Sequence, residues 1–413
     1  MAVGSITSLI IIPSSSARFL NHINNHHGQF SSSSLLRVQG PLQKQLQGFR
    51  VIPLPYYHNH YPHHHQPHGI SYINGTKLTD TDNTPSVFAS AASSSSTVSS
   101  IGSETGSGLS LEVREIKERY KKWQWRGHTI NYLVHCTDED RPPLLLVHGF
   151  GASVAHWRRN ILTLTQSYTV YAIDLLGFGA SDKPLGFPYT MEVWAQLILD
   201  FLDEIIQKPT VLIGNSIGSL ACVIAASESS HSLVRALVLL NCAGGMNNKA
   251  IVDDWRIKLL LPLLWLIDFL LNQKGIASFI FERVTRRENL KNILLSVYGN
   301  KDFVDDDLVE IIREPAQGEE ALDAFVSIVT GPPGPSPVQL MPRINLPVLV
   351  LWGDQDTLTP LDGPVGKYFS SLPAQLPNIS LFILEGVGHC PHDDRPDLVH
   401  EKLLPWLDLL PAL

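Results

Sequence analysis

Short apolar runs, each ending at a glycine or a small polar residue, constrain this chain more than any other feature. They are "PPLLLVHGF", "YTVYAIDLLG", "TVLIGNS" and "VRALVLLNCAG", followed much later by "LPVLVLWGD" and "ISLFILEGVGH". Helical patterns such as "MEVWAQLILDFLDEII" lie between them. Nearly continuous apolar strands are strands buried on both faces. Alternation with helices then predicts a mostly parallel central sheet flanked by helices, an α/β architecture. Ahead of these runs, "KKWQWRGHTINYLVHC" alternates around a turn at Arg126–His128 and predicts a hairpin. Open α/β sheets bind ligands at the carboxyl ends of their strands. The glycine-containing turns are therefore where chemistry belongs.

The rhythm changes between about Gly245 and Leu340. "WRIKLLLPLLWLIDFLLNQKGIASFIFERV" is helical and apolar nearly all round, and "ALDAFVSIVTGPPGPSPVQLMPRI" closes the block in a Pro/Gly stretch. The expected organisation is a core in two parts, 111–244 and 341–413, with an inserted helical lid at 245–340. Within the lid, the run Leu259–Leu271 spans 13 residues, contains Pro262 and Asp268, and is too short to cross a bilayer. It reads either as a helix packed on its own domain or as a surface for a greasy substrate or a membrane. In the second reading Trp265 and Phe269 are the candidate substrate contacts.

Residues 1–79 carry five Lys or Arg and no acid, since the first acidic residue is Asp80, and they are rich in Ser. Such a segment cannot bury a core, and its composition is that of an organelle transit peptide. Residues 80–110 are Ser- and Gly-rich and read as a linker. The His63–His65 run has the composition of a weak metal binder. Without residues 1–79 the chain holds 26 basic against 39 acidic residues, which disfavours a nucleic-acid partner. Its four cysteines are scattered, with no CxxC, and read as free thiols of a reducing compartment such as a plastid stroma.

The chemistry centres on Gly214-Asn215-Ser216-Ile217-Gly218, a G-x-S-x-G between a strand and a helix. In that setting the serine stands on a strained turn that lifts its hydroxyl above the sheet. A serine needs a base. His389, between the last strand and the last helix, is the best placed. His392 lies further along the same loop, and His400 within the final helix is expected to face solvent. The base needs an orienting carboxylate. Asp356 lies far enough into the loop after "VLVLWG" to reach across, whereas Asp354 is expected to bond its own turn. Backbone N–H groups of Ile217 and Phe150 are the candidates to hold an oxyanion. His148 and the "DLLGFGASD" loop read as braces, and no metal ligand set is apparent.

"LLLVHGFGASVAHWRRN", "YAIDLLGFGASDKP", "LIGNSIGS", "VLWGDQDTLTP" and "GVGHCPHDDRP" resemble the α/β-hydrolase superfamily over about residues 123–406. With "VLLNCAGGMNNKA" and "SIVTGPPGPSPVQL" added, the chain resembles the plant chloroplast chlorophyll dephytylases, relatives of pheophytinase. That resemblance implies an α/β-hydrolase fold and a serine hydrolase of the phytyl ester of chlorophyll, with Ser216 as nucleophile, His389 as base and Asp356 as acid. It implies no cofactor, a lipophilic small-molecule substrate (chlorophyll or pheophytin), and a chloroplast location in the stroma or in peripheral contact with the thylakoid membrane. Other carboxylesterases, lipase-like acyl hydrolases and carbon–carbon bond hydrolases share these motifs, and plants also have hormone receptors on this fold. Ser216 excludes the dehalogenases and epoxide hydrolases, which use an aspartate. One departure is Ser219, where many members have glycine, and it is expected to set the following helix slightly further from the sheet.

Overall fold

A computed structural model describes residues 109–411 except 137, 139, 229–232 and 248–264. The expected transit segment, His63–His65, nearly all of the linker and the first part of the Leu259–Leu271 run lie outside the described residues. The strands are β1 (Tyr120–Trp125), β2 (His128–His135), β3 (Pro143–Val147), β4 (Thr169–Ile173), β5 (Thr210–Asn215), β6 (Val234–Leu240), β7 (Val348–Gly353) and β8 (Ile379–Leu384). The longer helices are α1 (Leu111–Glu118), α2 (Arg158–Leu164), α3 (Met191–Phe201), α4 (Ile217–Ser227), α5 (Lys274–Thr285), α6 (Arg287–Val297), α7 (Asp306–Arg313), α8 (Glu319–Thr330), α9 (Pro364–Ser371) and α10 (Pro396–Asp408).

The strands form one sheet in the order β1-β2-β4-β3-β5-β6-β7-β8. The first two pairings in that order are antiparallel and the rest parallel. The hairpin turns where the sequence places it, with Trp125 opposite His128 and positive φ at Arg126 and Gly127, the conformation of a two-residue hairpin loop. Side chains alternate between two cores. Leu145, Val147, Leu212 and Val350 face α3, α4 and α9, whereas Leu144, Leu146, Ile213 and Leu351 face α1, α2 and α10. Every residue of β3, β5 and β7 is buried, as a strand covered on both faces requires.

The chain leaves the sheet after β6 and returns at β7. The described part of this excursion holds a helix at 265–271 and then α5 to α8. A third, smaller core ties it down: Leu290, Leu294, Val297, Tyr298, Leu308 and Val309 pack with Cys390 from the loop after β8. One element departs from its periodic pattern. α3 gives way to a π-helical turn at Leu202–Ile206, which ends at Gln207 with φ 57°.

Candidate active site

The G-x-S-x-G turn is as sharp as its sequence demands. Ser216 has φ 54° and ψ −119°, a conformation that L-residues avoid. A Cβ on Gly214 would lie 2.5 Å from the Ser219 nitrogen, and one on Gly218 would lie 2.4 Å from the His148 carbonyl oxygen. Both positions therefore admit only glycine. Ser219 is fully buried. Its hydroxyl donates to the Gly214 carbonyl at 2.6 Å and accepts from the Leu240 N–H at 3.1 Å, tying the turn to β6.

From this corner the Ser216 hydroxyl donates to His389 Nε2 at 2.8 Å, and His389 Nδ1 stands 2.8 Å from Asp356 Oδ2. An ionised carboxylate only accepts, so Nδ1 carries the proton and Nε2 is the free base. Asp356 is buried and also accepts from Asn241 Nδ2 (2.6 Å), Thr359 Oγ1 (2.6 Å) and the N–H groups of Leu358 (2.7 Å) and Thr359 (3.0 Å). Burial pushes its carboxyl up, but the charge of His389 and the bonds from His389 and Thr359 outweigh that and hold it near about 2. Asp354 lies outside this constellation, and its Oδ1 accepts from the Gly386 N–H at 2.7 Å.

The other histidines are engaged elsewhere. His148 donates from Nδ1 to the Gly149 carbonyl at 2.7 Å and accepts the Leu175 N–H at Nε2 at 3.0 Å, which pins the loop after β3 to the loop after β4. Asp174 closes the same corner, accepting from Val154 N (2.6 Å), Ala180 N (2.8 Å) and Asn131 Nδ2 (2.8 Å). His392 is buried, 3.3 Å from His156, with its ring against Trp157. Burial lowers the pKa of both His392 and His156. His400 does not face open solvent as expected; it is half-buried and contacts Asn160 Oδ1 at 3.2 Å.

Sequence reasoning missed two residues that position the site. Asn241 (φ 43°) bridges strands, donating to Asp356 Oδ2 and accepting the Gly353 N–H at 3.0 Å. Its signal was an asparagine directly after a strand, where a left-handed residue favours that side chain. Asp394 is fully buried. Its carboxylate accepts from Gly388 N (2.6 Å) beside His389, and from Gly299 N (2.7 Å) and Asn300 N (2.8 Å) beyond α6. The His389 N–H itself donates to the Val297 carbonyl at 3.0 Å. One carboxylate thus clamps the base loop to the helical excursion. Asp394→Asn places an N–H₂ against one of these donors and should cost roughly 2 kcal/mol. The expected result in a thermal melt is a Tm lower by a few degrees; an unchanged Tm would show the clamp to be dispensable.

Above Ser216 opens a cavity of about 440 Å³, within the range of small-molecule sites. Its walls are mostly apolar: Phe150 and Phe178 on the core side, and Ile267, Phe281, Leu294 and Phe325 on the excursion side. The Phe281 and Phe325 rings meet at 5.1 Å. Phe150 and Ile217 line it beside Ser216. Trp265 and Phe269 do not. They are 73% and 62% exposed on the outer side of the 265–271 helix, because that helix turns Ile267, Asp268 and Leu271 inward. The apolar block does supply part of the cavity wall, but through Ile267 and Phe281 rather than Trp265 and Phe269.

Comparison with known proteins fits this geometry. Residues 142–396 match the family model described as the alpha/beta hydrolase fold. The chain is 27% identical to an uncharacterised hydrolase of Bacillus subtilis over 279 residues, covering 67% of this chain and 93% of that protein. It is also 27% identical to the chloroplastic pheophytinase of Arabidopsis thaliana over 314 residues, covering 66% of this chain but 62% of the relative. Among solved structures it is similar to a bacterial membrane phospholipase A, with TM-score 0.55, 25% identity and coverage of 72% and 90%. It is similar in fold to a meta-cleavage product hydrolase of Pseudomonas fluorescens, with TM-score 0.54, 20% identity and coverage of 70% and 97%. The matched family segment runs from just before β3 to the start of α10 and encloses Ser216, Asp356 and His389: this chain is a hydrolase of the α/β-hydrolase fold family.

Proposed function

We propose that the protein is a carboxylic ester hydrolase with Ser216, His389 and Asp356 as its triad, and that its substrate carries a long apolar alcohol, the phytyl ester of chlorophyll or pheophytin. The observation that carries this reading is the unbroken line Ser216–His389–Asp356 on the floor of an apolar cavity. His389 Nε2 takes the Ser216 proton as Oγ adds to the ester carbonyl. The N–H groups of Phe150 and Ile217 receive the oxyanion. Collapse expels the alcohol, which His389 protonates. Water activated by the same nitrogen then cleaves the acyl-enzyme and frees the acid. The phytyl ester is supported by the pheophytinase likeness and by the apolar walls. A plastid setting is supported by the acid-free residues 1–79 and by that relative's own location. Among the described residues no helix is long and apolar enough to span a membrane.

The direct test incubates the protein lacking about its first 90 residues with chlorophyll, pheophytin and a short nitrophenyl ester. Repeated turnover of the phytyl esters supports the proposal. A single slow turnover would favour a receptor, and turnover of the nitrophenyl ester alone would favour a general esterase.

The lid wall makes a separate prediction. Each buried methylene contributes about 0.8 kcal/mol, and a buried aromatic ring about 1.5–3 kcal/mol. Phe281→Ala should therefore lower kcat/KM for a long-chain ester by about tenfold or more while leaving a short nitrophenyl ester within about threefold. Trp265→Asp and Phe269→Asp, on the exposed side, should change either soluble ester by less than about twofold. Equal losses on both esters for Phe281→Ala would remove the lid from substrate selection.

A further inference from the structure

Lys183 is the one lysine or arginine that lines the cavity among the described residues. It follows the loop after β4, which also supplies Phe178 to the cavity, and the Phe178 ring packs on Phe150 at 5.6 Å. Its ammonium is held by two backbone carbonyls, Gly179 O at 2.6 Å and Ser181 O at 3.3 Å. An ammonium has three donors, so one remains beyond those two carbonyls. Burial lowers the Lys183 pKa; Asp174, Asp182 and Glu320 favour its charge from a distance.

A hydrocarbon packed against the ammonium of this half-buried lysine would strip water from a charged group and leave a donor unmade, which costs free energy at each binding event. The cavity therefore does not suit a purely hydrocarbon ligand. It suits one that is mostly apolar and carries an oxygen acceptor apart from the reacting ester. A half-buried charged group rejects analogues that lack its partner more strongly than an apolar wall rejects a missing methylene.

We propose that Lys183 is a specificity-determining residue whose ammonium receives a second oxygen acceptor of the substrate, a carboxylate or carbonyl separate from the ester that Ser216 attacks. This rests on the ester-hydrolase reading, and it narrows the substrate class from greasy esters to esters bearing a further oxygen function. The alternative is that Lys183 only braces its own loop through Gly179 and Ser181. The two differ in what a ligand feels.

The test measures binding by calorimetry to the Ser216→Ala protein, which leaves esters intact. The probes are methyl decanoate and the monomethyl ester of decanedioic acid, which are similar in length but differ by one terminal carboxylate. Adding Lys183→Met should weaken the half-ester by about tenfold or more, as loss of a charge-assisted bond does, and methyl decanoate by less than about twofold. Lys183→Gln keeps donors for the loop carbonyls without the charge, and should give the same pattern in a protein whose loop is still braced. A carbonyl-bearing probe, methyl 9-oxodecanoate, then separates the two acceptors: weakening confined to the half-ester assigns a carboxylate, and weakening of both assigns either oxygen. Equal weakening of the half-ester and methyl decanoate, no weakening of either, or no binding of the half-ester overturns the proposal. Because the readout is binding, its failure leaves ester hydrolysis untouched. A wild type inactive on every ester would overturn the hydrolytic reading and leave this measurement standing.

Discussion

Ser216→Ala should reduce ester turnover by about 10⁴- to 10⁶-fold while the protein stays folded. The size follows from the chemistry. Without Oγ no acyl-enzyme forms, and water must attack a carbonyl activated only by binding and by the oxyanion donors. The fold should survive because the tight turn is held by other groups. The Ser216 N–H donates to the Leu240 carbonyl, its own carbonyl accepts from Ala243, and Ser219 fastens the turn to β6. Alanine also relieves no strain, since it meets the same φ of 54°. The measurements are steady-state rates on a nitrophenyl ester and a far-ultraviolet circular dichroism melt. Activity within tenfold of wild type, with an unchanged melt, would remove Ser216 from the chemistry.

Most of the sheet was legible because buried parallel strands announce themselves as unbroken apolar runs, and each run closes at the turn where a side chain would collide. Gly214 and Gly218 are readable for that reason: the motif records two close backbone approaches. The Ser216–His389–Asp356 geometry follows from strand order, since β5, β7 and β8 bring their carboxyl ends to one rim of the sheet. Less legible was anything set by packing between segments distant in sequence. Asp394 looks like one of a run of acids in "CPHDDRP", and nothing local shows that it would accept three N–H groups from two segments. The lid block defeated periodicity for a simple reason. Where a helix is apolar nearly all round, the pattern holds no information about which side turns inward. Size and apolarity point to Trp265 and Phe269, but the inward places belong to Ile267 and Phe281.

Asp356→Asn is expected to cost about 10⁴-fold in kcat, against a change of less than about threefold for Asp354→Asn. The two residues lie in one loop and carry the same charge, so the contrast isolates geometry. Asp356 Oδ2 receives the proton-bearing Nδ1 of His389 at 2.8 Å, and that bond fixes Nε2 as the unprotonated nitrogen facing Ser216. With its carboxyl held at about 2, Asp356 is ionised at neutral pH and is available to balance the imidazolium that the proposed attack by Ser216 would form. An asparagine in its place has one oxygen and one N–H₂ for five donors. In the aspartate these donors are divided, Oδ1 taking the Leu358 and Thr359 N–H groups and Oδ2 taking Asn241 Nδ2, Thr359 Oγ1 and His389 Nδ1, so the amide nitrogen must face donors wherever it is placed. If the amide nitrogen turns to His389, it can only donate, and the imidazole must present a lone pair at Nδ1 and carry its proton at Nε2. A protonated Nε2 cannot accept from Ser216. The variant therefore holds the wrong tautomer even when every heavy atom stays in place. Asp354 has no such leverage, because its carboxylate accepts from the Gly386 N–H in an exposed turn and not from His389. The experiment is kcat and Tm for both variants on the same soluble ester. A larger loss for Asp354→Asn, with both proteins folded, would move the acid of the triad to the other carboxylate.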